Sequence, residues 1–336
     1  MANIFLTRKC NLKCPYCFAD EFVNKENEEI TLDNFKTALN FIKTDKNERV
    51  GLIGGEPTLH HEFSKILEII IEDEDIKESI IFSNGIEIDK YVDYLKNEKF
   101  KLLVNCNSSK DIGEQRYEKL KKNILLLNDV MSERLALGIN IYSPDMDYSY
   151  IFDLLKLIDN HFIRFSTALP NEFKEETTDI LESFKEMKNV LFSFFKDCYD
   201  NEVCPSNDCN SFPDCFYTPE DKLLLVKLAK LSAQYKTDRN PIYTCHICSP
   251  VIDILPDMQA VRCFGLSKYT KMPINQFKTI QNLRKYFYNK MDIYAKTAFI
   301  NEDCENCTMR LLDKCGICFT YKLKKIQKNR ELLTHI

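Results

Sequence analysis

Three thiols fall within eight residues near the start of the chain, in Cys10-Asn-Leu-Lys-Cys14-Pro-Tyr-Cys17. Ligands packed this closely can wrap three corners of a cubane iron–sulfur cluster, whereas a structural zinc ion takes four ligands. Three protein ligands leave one iron open, and an open metal position is where a substrate or cofactor binds. On spacing alone, a zinc knuckle with a distant fourth ligand stays as the alternative. Two further segments could do chemistry. In Gly54-Gly55-Glu56-Pro57 the glycines let backbone carbonyls approach a ligand, and the Glu56 carboxylate offers a charged acceptor for an ammonium. Ser83-Asn84-Gly85 is the other. The chain has only eight glycines, and Gly51, Gly54, Gly55 and Gly85 place half of them at expected strand ends.

These segments need a scaffold, and the hydrophobic pattern supplies one. Strands are expected at residues 3–7, 50–54, 79–83, 101–106, 135–142 and 162–167. Helices are expected at 31–43 (behind a Thr31 N-cap), 60–72, 89–97, 114–128 and 148–159. Six repeats of strand then helix imply an α/β fold with a parallel sheet, either a partial barrel or an open doubly wound sheet. After Pro170 the rhythm breaks. A polar helix (172–189), a Cys/Asp/Asn/Pro stretch (198–215) and a helix (219–234) follow. Two short strands (251–255 and 260–264) then flank the turn Pro256-Asp257-Met258-Gln259, and a basic helix (321–332) comes last.

Bulk properties exclude several function classes. A net charge of −5, with lysines scattered among acids, gives no case for nucleic acid as partner or for a basic membrane-surface patch. No apolar run approaches the roughly 20 residues that span a bilayer. The first residues lack the apolar segment of a secretory signal, so a cytoplasmic address is expected. In that reducing compartment, fifteen cysteines point to metal or catalysis rather than disulfides.

The spacing Cx3CxΦC after a first strand, with Tyr16 at Φ, resembles the signature of radical S-adenosylmethionine (SAM) enzymes. Gly54-Gly55-Glu56-Pro57 is similar to the family's GGEP motif, which binds the SAM amino group, and Ser83-Asn84-Gly85 to its (S/T)NG segment. Asn140 lies where the family places a polar contact to the SAM ribose or carboxylate, although a capping or core amide fits that residue equally well. The resemblance implies a partial (β/α)6 TIM-like barrel over residues 1–170. It implies a [4Fe–4S] cluster on Cys10, Cys14 and Cys17 whose open iron chelates SAM, and reductive cleavage to a 5′-deoxyadenosyl radical that abstracts hydrogen from a substrate. It assigns Tyr16, Gly54, Gly55, Glu56, Pro57, Ser83, Asn84 and Asn140 to the cofactor. The family's GxIxGxxE pattern is not recognisable, which leaves the adenine pocket undefined beyond Tyr16.

Cys304-x2-Cys307-x7-Cys315-x2-Cys318 makes a second metal signal, with a zinc ribbon as the alternative. The stretch from Ser249 to Phe264 resembles the hairpin of SPASM and twitch extensions, which carry auxiliary [4Fe–4S] clusters. That resemblance implies a cysteine-rich auxiliary iron–sulfur domain over 241–336, joined to the core by a helical connector over 171–240. It implies one or two auxiliary clusters. The expected partition puts Cys209, Cys215, Cys248 and Cys263 on one, and Cys304, Cys307, Cys315 and Cys318 on the other. Cys198, Cys204 and Cys245 are left for part of a third site, a structural zinc or unligated thiols. The middle gap of the last group is longer than the usual pattern, and no cysteine follows Cys318.

Other residues carry weaker expectations. Cys106 is expected to be a buried thiol, His60 and His61 a solvated first-turn pair, and the phenylalanines of 192–195 core. His246 stands as a lesser alternative ligand. The resemblance implies an enzyme that modifies a ribosomally made peptide or a protein side chain, forming a thioether or carbon–carbon link. A flavodoxin- or ferredoxin-type protein would supply the electron. Nine residues precede Cys10, so a separate leader-binding protein, leaderless recognition or a non-peptide substrate is expected. Sulfatase-maturase-like oxidation of a side chain is the nearest alternative, and an electron-transfer or metal-binding module is the alternative of another class.

Overall fold

The computed structural model describes residues 1–17, 19–20, 22–24, 28–46, 48–168, 180–209, 212–235, 251–264, 270–294, 304–312, 315, 318 and 320. The chain divides into two compact units. The first holds Met1–Gly138, Ser149–Asn160 and Pro250–Arg284; the second holds Ile139–Tyr148, His161–Ser249 and Lys285–Ile336.

In the first unit β1 (Ala2–Phe5), β2 (Arg49–Ile53), β3 (Glu78–Ser83) and β4 (Phe100–Asn105) run parallel, and β5 (Leu135–Ile141) joins β4 through Leu135–Gly138. Parallel strands are covered on both faces, and their sequences show it: Leu52 and Ile53 of β2, and Leu102, Leu103 and Val104 of β4, are all buried. Between the strands lie α1 (Leu32–Lys43), α2 (Phe63–Glu72), α3 (Val92–Leu95), α4 (Ser109–Ile112), α5 (Glu114–Met131) and α6 (Tyr150–Leu155). Thr31 caps α1 as expected, its hydroxyl accepting the Asn34 N–H at 3.2 Å. The helix then buries Phe35, Leu39, Phe41 and Ile42 on one face, each contributing on the order of 2 kcal/mol.

The hairpin β8 (Ile252–Ile254) and β9 (Gln259–Val261) belongs to this first unit, across the boundary expected at 241. β8 pairs parallel with β1, Asp253 opposite Asn3, and β10 (Met272–Pro273) pairs antiparallel with β9. All three residues of β8 are buried, so the strand needs cover on both faces that an isolated hairpin lacks. The turn between β8 and β9 closes as the sequence implies, with Leu255 N–H donating to Gln259 O at 2.8 Å.

The second unit contains the end of β5, β6 (Phe162–Thr167), β7 (Cys204–Cys209), α7 (Ile180–Asp200) and α8 (Pro219–Gln234). α8 matches its expected bounds and starts with a reciprocal cap between Thr218 and Asp221. β7 lies within the Cys/Asp/Asn/Pro stretch at 198–215, for which no strand was expected. It pairs parallel with β6 and lies last in the strand order, where Pro205 costs no ladder hydrogen bond on its open side. Phe194 and Phe195 are fully buried with Phe165, confirming the expected core. The expected helix at 321–332 lies outside the described residues. Among the described residues, no helix is long and apolar enough to cross a membrane.

Candidate active site

The cysteine loop leaves β1 and is clamped from the side by Asn24. The Asn24 Oδ1 accepts the Cys10 N–H at 2.9 Å, and its Nδ2 donates to Cys10 O at 3.2 Å. Asn24 itself takes a left-handed backbone (φ 58°), a conformation asparagine tolerates. Below the loop, Phe5, Phe22 and Phe264 form a ring contact group joined by Ile53, Leu255 and Val261, and Cys17 packs against it. Cys10, Cys14 and Cys17 are all half-buried. Burial pushes Cys10 up to about 11 and Cys14 up to about 12, the neighbouring thiols adding to the shift at Cys14. Loading iron therefore has to displace protons from both thiols.

Two strand ends are stitched to this loop. Gly55 N–H donates to Thr7 O and Glu56 N–H to Lys9 O, each at 2.8 Å. A Cβ on Gly55 would lie 2.3 Å from Lys9 O, so only glycine permits the two backbones to meet. The Glu56 carboxylate plays a different part from the one its motif suggests. It is 1% exposed. Its Oε1 accepts from Ser83 Oγ at 2.7 Å, Thr58 Oγ1 at 2.7 Å and Thr58 N–H at 3.3 Å, and its Oε2 accepts the Asn84 N–H at 2.7 Å. Four protein donors thus occupy the group that sequence reasoning offered to an ammonium. Burial raises its pKa while those donors pull it down. Pro57 opens the short 3-10 turn Pro57–Leu59 behind it.

Asn84 Nδ2 donates to Asn11 Oδ1 at 2.7 Å, tying the end of β3 to the cysteine loop. Gly85 supplies the turn with φ +76°, and its carbonyl is held by Asn123 Nδ2 at 2.7 Å. Tyr16 Oη donates to Asn107 Oδ1 at 2.5 Å, which fastens the loop to the residues after β4. Sequence reasoning missed Asn11 and Asn107. The usable signal for Asn107 was a polar residue directly beyond a buried strand end.

His60 is buried rather than solvated. Its Nε2 bonds to Ile30 O at 2.8 Å and its Nδ1 accepts the Glu62 N–H at 3.1 Å. Among the described residues, Glu29, His60 and His61 alone bring three ligand atoms close enough to share one ion. Both His60 nitrogens are occupied, so the group reads as a hydrogen-bonded strap.

In the second unit, Asn140 Oδ1 accepts from Ser166 Oγ and, at 3.4 Å, from Arg164 Nη1. Arg164 pairs with Asp208 at 2.5 Å. Cys209 and Cys215 are exposed, while Cys304, Cys307, Cys315 and Cys318 are half-buried. Partial burial raises the Cys215 thiol, and Cys315, Cys304 and Cys307 push it further up. Cys245, His246 and Cys248 lie outside the described residues. Cys198 and Cys204 are buried in the α7–β7 core, and burial pushes Cys204 up to about 11. Cys106 is buried as expected, its thiol pushed up to about 12.

A three-cysteine loop tied to three successive strand ends of a parallel sheet lies where α/β sheets bind ligands, and its donor set suits an iron–sulfur cluster. Residues 4–158 match the family model described as Radical SAM superfamily, and the chain carries a radical SAM domain. SAM and a [4Fe–4S] cluster are the cofactors that family uses, and the three-thiol donor set fits the cluster. The chain is 25% identical over 219 residues to molybdenum cofactor biosynthesis protein moc-5 of Caenorhabditis elegans, covering 58% of this chain and 34% of that one. It is 28% identical over 207 residues to GTP 3′,8-cyclase of Clostridium perfringens (strain SM101 / Type A), covering 56% and 63%. The chain thus spans less than two thirds of these relatives. The crystal structure of Streptococcus suis SuiB bound to S-adenosylmethionine shares the fold, with TM-score 0.64, 16% identity and coverage of 96% of this chain and 73% of that one. SuiB bound to precursor peptide SuiA gives TM-score 0.63, 15% identity and coverage of 96% and 72%.

Proposed function

We propose that this chain reductively cleaves SAM at the Cys10, Cys14 and Cys17 site and uses the product to modify a ribosomally made peptide or a protein side chain. The observation that carries the first half is the stitching of the cysteine loop to the ends of β2, β3 and β4, which an electron carrier has no need of. When bound, the cluster and SAM supply a one-electron cleavage that yields a carbon radical.

The chain's own residues do the positioning. Cys10, Cys14 and Cys17 would hold the cluster, and the backbone carbonyls of Gly54 and Gly55 would take the SAM amino group. Glu56 holds Ser83 and Asn84 in register behind them. Tyr16 would wall the adenine side, and Asn140 would offer its amide to the ribose or carboxylate. Phe5, Phe22 and Phe264 exclude water beneath the loop.

The C-terminal cysteines support the second half, as ligands of one or two auxiliary [4Fe–4S] clusters that bind the substrate or accept an electron. The likeness in fold to SuiB, described as bound to a precursor peptide, points to a peptide substrate. A thioether or carbon–carbon link is the favoured product, with side-chain oxidation the next choice. A flavodoxin- or ferredoxin-type donor, a separate leader-binding protein and a cytoplasmic location belong to this reading. So does the division into a core over 1–170, a connector over 171–240 and an auxiliary domain over 241–336. The similarity to GTP 3′,8-cyclase favours one rival, a small-molecule substrate.

Anaerobically reconstituted, reduced protein incubated with SAM should release 5′-deoxyadenosine. None from a fully loaded sample overturns the reading. Release stimulated by GTP, and not by peptides encoded beside the gene, selects the rival.

A further inference from the structure

Asn107 is a fixed post beside the cysteine loop. On one side Cys106 is held by its N–H to Gly138 O at 2.8 Å and by Tyr150 Oη to its carbonyl at 3.1 Å. On the other, Ser108 caps α4, its hydroxyl accepting the Asp111 N–H at 3.3 Å. The Asn107 side chain is 2% exposed, so its carboxamide is not a solvated surface group. Nδ2 turns back to Asn105 O at 3.4 Å, which aims Oδ1 at Tyr16 Oη, 2.5 Å away.

Tyr16 has one hydroxyl proton, and two groups compete for the phenol. Its oxygen also lies in hydrogen-bond reach of the Cys14 thiol. With the proton committed to Asn107, the ring is held in one orientation, and its hydroxyl is unavailable to a ligand as a donor. We propose that Asn107 is a positioning residue for SAM, fixing Tyr16 so that its ring, and not its hydroxyl proton, serves the cofactor. This rests on the reading that the Cys10, Cys14 and Cys17 site binds SAM.

The test is the dissociation constant for SAM on oxidised, reconstituted protein, measured by calorimetry, together with the change in the reduced cluster's EPR spectrum on adding SAM. Asn107→Ala and Tyr16→Phe each remove the same hydrogen bond. Each should weaken SAM binding about tenfold, with iron content and thermal midpoint near those of the unaltered protein. The double variant Tyr16→Phe/Asn107→Ala should be no weaker than Tyr16→Phe alone. Equal SAM affinity in Tyr16→Phe and unaltered protein overturns the proposal, as do losses that simply multiply in the double variant. If Asn107→Ala does not fold, Tyr16→Phe decides alone, since it removes one oxygen and keeps the ring. Unaltered, fully loaded protein that does not bind SAM counts against the proposed function itself, which separates the two failures.

Discussion

The two ends of the chain hold their cysteines in different ways. Around Cys10, Cys14 and Cys17 the loop is tied by backbone and side-chain bonds to Thr7, Asn24, Gly55, Asn84 and Asn107, and it rests on three packed phenylalanines. Around Cys304 and Cys307 the ties among the described residues are local ones. A four-residue helix (Thr308–Leu311) follows, Arg310 Nε donates to Cys304 O at 2.8 Å, and Leu311 and Leu312 are 64% and 57% exposed. The first site is preorganised by protein; at the second, the proposed clusters would supply shape, as metal does in small metal domains. Removing metal should therefore abolish chemistry at one end and structure at the other.

The largest expected effect is at the preorganised site. Cys14→Ala should reduce 5′-deoxyadenosine release to background while shifting the thermal midpoint by only a few degrees, because the loop keeps its other ties. A collapse in stability would show that iron, not the strand ends, shapes the loop. Next is Cys315→Ala or Cys215→Ala. Each should remove the same four irons and leave 304–318 sensitive to limited proteolysis. If Cys215→Ala instead removes irons that survive in Cys315→Ala, Cys215 shares a separate cluster with Cys209, Cys248 and Cys263.

What was legible in the sequence follows the same divide. Cys10, Cys14, Cys17, Gly55 and Gly85 could be read because each residue type has one physical use at its spacing: a thiolate ligand, a backbone approach, a positive φ. Glu56 could not be read correctly, since a carboxylate in a glycine turn looks the same whether it faces a ligand or four protein donors. β7 was hidden because its sequence, Cys-Pro-Ser-Asn-Asp-Cys, has neither apolar alternation nor branched residues and pairs only through the neighbour it is given. The β8–β9 hairpin was found, but not its place beside β1, because pairing between residues 250 positions apart leaves no local trace.

That long-range pairing sharpens the comparison by pH. Asn3 Nδ2 donates to Asp253 Oδ1 at 2.7 Å, both side chains being more than nine-tenths buried, while Asn3 Oδ1 has no partner. Burial pushes Asp253 up to about 7 from 3.8. The folded state then holds the proton where the unfolded chain has lost it, so this residue's stabilisation is full below pH 4 and fades as pH rises to 7. The whole effect is at most about 4 kcal/mol. Asp253→Asn should flatten the pH dependence of the thermal midpoint over that range. At pH 8 it should be at least as stable as the unaltered protein, because the new amide can donate to Asn3 Oδ1. An unchanged pH profile would show that Asp253 titrates normally.

The smallest effect tests the preorganised frame bond by bond. Ser83→Ala removes one of four donors to the Glu56 carboxylate and leaves Gly85 N–H without its acceptor, now at 3.0 Å. A buried carboxylate short of one donor costs about 1–2 kcal/mol, or a few degrees of thermal midpoint in a chain of this size. Because Ser83 acts through Glu56, Ser83→Ala in a Glu56→Gln background should cost less than it does alone, the neutral amide having less need of the donor. SAM affinity should fall only as far as the Asn84 turn loosens, by a factor of a few. A loss as large as that of Cys14→Ala would place the Ser83 hydroxyl on the cofactor itself rather than behind it.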